Sequence, residues 1–370
     1  MPILSSGPGN LVTIDGKEYL FFAGNNYLGL AGHPAVKRAA LEAVESHGLS
    51  SSASRETTGT SVLHVDLERQ LADFKNQADA VIFSTGYLGN RILLHALRNR
   101  FTTVLADRLS HPSVLDGVPR EIGEIVFYDH GNTDHLAGLL AERPGAGVLI
   151  ITDGVFALTG EIAPLDRIYR LARKHGAVVV VDDAHATGIL GEHGRGTPEH
   201  FGLDDAENLY QTEMLSKALG CFGGFIAADR ETIRNIRTGS AAYIGTTALP
   251  PPIAAAGSAA LRYLREHPER RLKVLENART VKEGLNRLNL PTAPDDTPII
   301  PVFFDTPGEA GQLSSYLRGQ GIIAPAVRYP VPMDRYPVRI TVSADHTGDH
   351  LNTLLEALES WRNRHDTQTG

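Results

Sequence analysis

One lysine stands where an amine could do chemistry. Lys217 lies in "TEMLSKALGCFGG" (212–224), between a short polar run and a loop that carries three glycines. Ahead of it "NLYQT" reads as a strand and after it "GGFIAA" reads as another, so the lysine sits on a link between two buried elements. An amine enclosed in this way loses hydration, its pKa falls toward neutrality, and it can attack a carbonyl and hold a Schiff base. Most lysines are solvated surface groups; the surroundings set this one apart.

The run "AVVVVDDAH" ends in Asp182, Asp183 and His185. Parallel sheets bind ligands at the carboxyl ends of their strands, so these groups are expected to face a crevice. Alone, an aspartate there is more often a turn former or helix cap. Together with the lysine, Asp182 suits a pyridoxal phosphate site, where a carboxylate keeps the pyridine nitrogen protonated and the ring accepts electrons from a substrate carbanion. The phosphate needs a cradle. "FSTGYLGN" leaves a strand at Ser84 and turns through Thr85, Gly86 and Tyr87 into a helix, offering backbone N–H groups to an anion. "DRLSHPS" places His111 just past the strand "TVLAD". Most histidines serve surface or core hydrogen bonds; strand-end positions single out His111 and His185 from the 15 present.

These groups need a scaffold, and the pattern predicts α/β. Short apolar runs without alternation, "AVIFS", "TVLAD", "EIVFYD", "GVLIITDG" and "AVVVVDDAH", suit strands buried on both faces. Helical segments such as "HPAVKRAALEAVESHG", with Pro34 near its start and Gly48 at its stop, separate them. From about Pro250 longer helices and the strand candidates "PIIPVFF" and "VRITVSA" indicate a second, smaller α+β domain. The expected organisation is an N-terminal segment (1–32) packing with the small domain, a large cofactor-binding domain (33–247), the small domain (248–362) and a disordered tail (363–370).

At 370 residues the chain can bury a large core without staples. A single cysteine, Cys221, excludes an internal disulfide and a multi-thiolate metal site, and no metal is expected. The formal charge of −8 gives no broad attraction for nucleic acid or acidic membranes. "MPILSSGPGN" has no basic region followed by an apolar one, and no apolar run approaches the ~18 residues of a membrane span. A cytoplasmic location is the expectation.

In order along the chain, "GNNYLGLAGHPAV", "SRETTGTSVLHVDLERQLADF", "FSTGYLGN", "DRLSHPSVLDG", "DGVFALTGEIAPL", "VDDAHATGILGEHGRG", "LSKALGCFGGFIA", "TTALPPP" and "VRITVSADHT" resemble the motifs of the α-oxoamine synthases. These fold-type I pyridoxal phosphate enzymes include 8-amino-7-oxononanoate synthase and glycine C-acetyltransferase. The resemblance covers about residues 10–360 and implies that Lys217 is the Schiff-base lysine and Asp182 the partner of the pyridine nitrogen. It further implies that His185 donates to the ring hydroxyl oxygen and that His111 stacks on the ring. Thr85, Gly86, Tyr87, Thr212 and Ser216 would lie by the cofactor, with Thr247 reaching it from a neighbouring subunit. Asn25 and Arg339 would hold the amino-acid carboxylate, and the shared site implies a homodimer. The implied reaction joins alanine, glycine or serine to an acyl thioester, carried by CoA or a carrier protein, with loss of carbon dioxide.

The chain departs from that pattern at Met214, where the family usually has a Thr or Ser that meets the phosphate. It also has Ala157 for a usual serine and Asp153 for a usual glutamate. Two other readings stay open at this point: a fold-type I aminotransferase or aldolase-like lyase on the same Lys217 and Asp182, and a dimer that binds the cofactor without turnover.

Overall fold

The computed structural model describes residues 3–145, 147–328 and 333–369. The chain divides into two compact units, one formed by 34–156 and 162–266, the other by 1–33, 157–161 and 267–370. The division falls at 266/267 rather than at the expected 247/248. Helix Pro251–Glu266 packs along helix Pro34–His47, and Gly257 in it lets Leu67 of helix Val62–Phe74 approach closely. The smaller unit thus starts with helix Pro268–Arg287, and its last helix, Gly348–Thr369, continues through the segment expected to be a disordered tail.

The larger unit is built on a seven-stranded sheet in the order 79–83, 224–228, 209–214, 178–182, 148–153, 103–107, 124–128. Strand Gly224–Ala228 runs antiparallel to both neighbours and the others run parallel. Alternation along each strand decides what lies above and below. Val178 and Val180 join Leu149, Ile151 and Tyr210 in a core with Ile92, Leu93 and Leu97 of helix Gly89–Leu97. Val179 and Val181 join Ile150, Leu165 and Ile168 in the core on the other face. The apolar runs are continuous in sequence because both faces are covered.

In the smaller unit, strands Leu11–Ile14 and Lys17–Phe21 form a hairpin extended by Ile322–Ile323, and Ile299–Phe304 pairs antiparallel with Tyr336–Thr341. The smaller unit is α+β, as its sequence suggests.

The most deeply buried ion pair among the described residues of the larger unit joins Lys75 and Glu213. Lys75 Nζ approaches Glu213 Oε1 at 2.5 Å with both side chains out of solvent. Burial raises the Glu213 pKa to about 7, against the pull of Lys75. A carboxyl whose folded pKa lies above its unfolded value binds its proton more tightly when folded. Its contribution is therefore present below its ordinary 4.5 and is lost as pH rises through 7. Lys75→Met strands the carboxylate and is expected to cost about 3–5 kcal/mol at pH 8, whereas Lys75→Met with Glu213→Leu recovers most of it; urea unfolding at pH 5 and pH 8 reads both effects.

Candidate active site

The parity of the central strands delivers polar groups to one place. Asp182 follows Val178 and Val180 in phase, so it projects toward helix Gly89–Leu97; Asp153 follows Ile151 and Thr212 follows Tyr210 in the same way. The three are side by side at the carboxyl ends of adjacent strands, Asp153 in register with Asp182 and Asp182 with Thr212. At the first turn of the helix above them stands Asn90, almost fully buried. Its Nδ2 donates to Asp182 Oδ2 at 2.8 Å and to Ser113 Oγ at 3.0 Å, and its Oδ1 accepts from Thr212 Oγ1 at 3.0 Å.

His111 begins helix Pro112–Gly117, and its backbone N–H donates to Asp153 Oδ1 at 3.0 Å. Its Nδ1 lies 2.8 Å from Ser113 Oγ and accepts from the Ser113 N–H at 3.2 Å. Tyr87 meets the imidazole edge-on at 5.9 Å between centroids and donates through its hydroxyl to Asp116 Oδ2. Burial lowers the His111 pKa, opposed by the Asp182 carboxylate and reinforced by the Lys217 ammonium. Asp153 is held well above the usual carboxylate range, first by burial and then by the neighbouring Asp182 charge. Lys217 is 9% exposed and acts electrostatically on both His111 and Asp153. The lysine is thus enclosed, as its flanking strands suggested, and His185 beside Asp182 in sequence is buried too.

The turn "STGY" carries Gly86 into a short helical turn, Gly86–Leu88, that leads into helix Gly89–Leu97. Met214 lies against it: a Cβ on Gly86 would come within 2.4 Å of Met214 Cγ and 2.6 Å of Cε. The hydroxyls placed near by sequence have other contacts. Thr212 donates to Asn90, Ser216 Oγ lies 3.7 Å from Met214 Sδ, and Ser84 Oγ donates at 2.8 Å to the Thr247 carbonyl of the same protomer. The Thr247 side chain is exposed. Thr85 precedes the turn with no side-chain cap bond.

In the smaller unit, Arg339 Nη2 donates to Asn25 Oδ1 at 3.0 Å. Tyr27 OH donates to the same oxygen at 3.3 Å, and burial raises its pKa to about 12. Arg339 Nε is buried with no hydrogen-bond partner among the described residues. A charged donor left over in a buried place suits a planar carboxylate. Sequence reasoning named Asn25 and Arg339 but missed Tyr27, as it missed Asn90 and Ser113. Each lies inside a quoted motif, and the signal available was a polar residue two to four positions from a named one.

The family described as aminotransferase class I and II matches residues 17–358, almost the whole chain. The chain belongs to that family. The chain is 38% identical over 362 residues to an 8-amino-7-oxononanoate synthase of Thermoanaerobacter pseudethanolicus, covering 97% of this chain and 91% of the relative. It is 40% identical to one of Symbiobacterium thermophilum, covering 93% and 88%. Among solved structures, a lysine-to-alanine variant of serine palmitoyltransferase from S. paucimobilis with a bound PLP–myriocin aldimine superposes with a TM-score of 0.91. It is 30% identical over 96% of this chain and 90% of that one. Within the family these relatives place the chain among the α-oxoamine synthases, with the fold-type I architecture. No helix is long and apolar enough to cross a membrane, and no cluster of three or more metal-ligating side chains occurs, among the described residues.

Because burial and the Asp182 charge raise the Asp153 pKa and its Oδ1 accepts the His111 N–H, Asp153→Asn is expected to leave stability within about 1 kcal/mol, whereas Asp153→Ala, which orphans that N–H, costs about 1–3 kcal/mol. Urea unfolding of the two variants at neutral pH distinguishes them.

Proposed function

We propose that this protein is a pyridoxal phosphate-dependent acyltransferase that condenses a small amino acid with an acyl thioester, releasing carbon dioxide and leaving an α-aminoketone. The observation that carries the reading is the enclosed Lys217 acting on His111 and Asp153 beside Asp182, in a chain similar over nearly its full length to 8-amino-7-oxononanoate synthases.

The residues suit the cofactor at its ring end. Asp182 stands at a strand end and accepts from Asn90, a carboxyl group placed to pair with a protonated ring nitrogen. At the phosphate end, the helical turn beginning at Gly86 offers main-chain N–H groups, with the Met214 thioether beside it. When bound, pyridoxal phosphate supplies an aldehyde that joins an amine and a ring that accepts the electron pair released at the amino acid's α-carbon.

The Lys217 amine would hold the cofactor through its aldehyde and, once displaced by the substrate amine, would serve as the base for the α-proton. Asp182 would keep the ring nitrogen protonated, while His185 would donate to the ring hydroxyl oxygen. Asn25 and Arg339 bind the amino-acid carboxylate, with Arg339 Nε as the donor still to be used. His111 would lie against the cofactor ring and would donate to the acyl carbonyl as negative charge develops on its oxygen. Thr85, Gly86, Tyr87, Ser216 and a partner subunit's Thr247 complete the cofactor's surroundings in this reading. A homodimer in the cytoplasm is the expected form.

The test is an assay of the holoenzyme with glycine, L-alanine or L-serine and a series of acyl-CoA and acyl-carrier-protein thioesters. Free thiol, carbon dioxide and α-aminoketone in equal amounts are expected, with Lys217→Ala losing both turnover and the visible absorbance of the lysine-bound cofactor. A keto acid formed from the amino acid without thioester would identify an aminotransferase instead. Met214→Thr sets a hydroxyl beside the Gly86 turn. It is expected to tighten pyridoxal phosphate binding by on the order of tenfold while leaving unphosphorylated pyridoxal unchanged, read by equilibrium titration of the apoprotein.

A further inference from the structure

We propose that Asn90 and Ser113 are positioning residues that keep the proton of His111 on Nε2, so that this imidazole is a standing hydrogen-bond donor for the acyl-transfer step. The inference rests on the proposed reaction for its purpose, though not for its geometry.

The direction of every hydrogen bond in the chain follows from one group that can only accept. Asp182, as a carboxylate, accepts, so the Asn90 atom 2.8 Å from its Oδ2 must be the amide nitrogen. The Asn90 oxygen then faces Thr212, whose hydroxyl donates to it. The second amide hydrogen points to Ser113 Oγ, 3.0 Å away. With one lone pair of Ser113 used in this way, its own hydrogen is free to point to His111 Nδ1 at 2.8 Å. The Ser113 backbone N–H aims at the same nitrogen at 3.2 Å. Two donors converge on Nδ1, which must therefore be unprotonated, and a neutral imidazole then carries its proton on Nε2.

Packing makes this arrangement possible. Gly117, at the end of the helix that His111 begins, touches the backbone of Asn90 and Arg91; a Cβ there would come within 2.8 Å of the Arg91 nitrogen. Only without that side chain do the two helices approach closely enough for Asn90 to reach Ser113. Asn90 and Ser113 are both almost fully buried, so water does not compete for these bonds.

Protonating Nδ1 would set a hydrogen against two donors, so the lock opposes the imidazolium. Burial and Lys217 act in the same direction, while Asp182 and Asp116 oppose them. Asp153 takes the His111 backbone N–H, and the Tyr87 ring meets the imidazole edge-on, so the ionisable neighbours of His111 are Asp116, Asp153, Asp182, Lys217 and Tyr87. Removing the Ser113 hydroxyl withdraws a donor to the neutral form, and the His111 pKa must rise.

The direct measurement is the histidine ring nitrogen NMR spectrum of the 15N-histidine holoenzyme, with His111 assigned by its loss in His111→Asn. The proposal expects a protonated Nε2 and bare Nδ1 through the neutral range. In Ser113→Ala the His111 titration should move up by about half to one pH unit, and Ser113→Thr, which keeps the hydroxyl, should restore it. The acid limb of kcat/KM for the thioester should follow the same shift. A proton on Nδ1, or a titration that Ser113→Ala leaves in place, overturns the lock. These spectra need no turnover, so absence of thioester-dependent activity would remove the proposed reaction and leave the tautomer assignment to stand or fall by itself. A lock confirmed by NMR with an unmoved acid limb would overturn its service to acyl transfer.

Discussion

Asn90 Nδ2 meets Asp182 Oδ2 at 2.8 Å, and the arrangement of the larger unit's site follows from what that contact requires. A strand must end with its last side chain turned toward a helix, and the helix must present a neutral amide at its first turn. The half-buried Asp182 thereby has a neutral donor in place of water. The sheet supplies the first condition through alternation: Val178 and Val180 pack under helix Gly89–Leu97, and Asp182 is the next residue in phase. The helix supplies the second by placing Asn90 where a solvent-facing helix would carry a charge.

The two faces of the same strand ends carry opposite polar arrangements. On the helix side Asp182, Thr212 and Asn90 form a chain of neutral donors around one carboxylate. On the other, Asp183 accepts from Thr197 and Gln211, and Glu213 pairs with Lys75. Neighbouring residues in sequence, Asp182 with Asp183 and Thr212 with Glu213, serve different faces. Such crowding of buried carboxyls is costly in isolation, and it persists because each has a donor or cation of its own. Asp153 shows the alternative outcome, since burial and then the neighbouring Asp182 charge push its pKa up.

Met214 is one of the points where this chain departs from the pattern its motifs resemble. Its side chain fills the space against Gly86, so the turn has a soft apolar neighbour where an added hydroxyl would face it.

Much of this was legible in the sequence. The continuous apolar runs determined a sheet buried on both faces, and Lys217 between two strands determined an enclosed amine, because hydrophobic periodicity and strand spacing are local properties. The order of the motifs determined the family. What the sequence did not hold was any contact between distant residues. Asn90 and Asp182 are far apart in the chain, and nothing in "LGN" tells that its asparagine faces a carboxylate rather than water. Tyr27 likewise becomes a partner of Arg339 only when strand Tyr336–Thr341 folds beside the turn that carries it. The division between the compact units lies outside local pattern for the same reason: helix Pro251–Glu266 looks like its successors in composition, and its packing on helix Pro34–His47 joins it to the larger unit. Local pattern determined which elements form and which side chains could react; tertiary structure decided their hydrogen-bond partners and protonation, because burial and pairing are set by neighbours that the fold brings together.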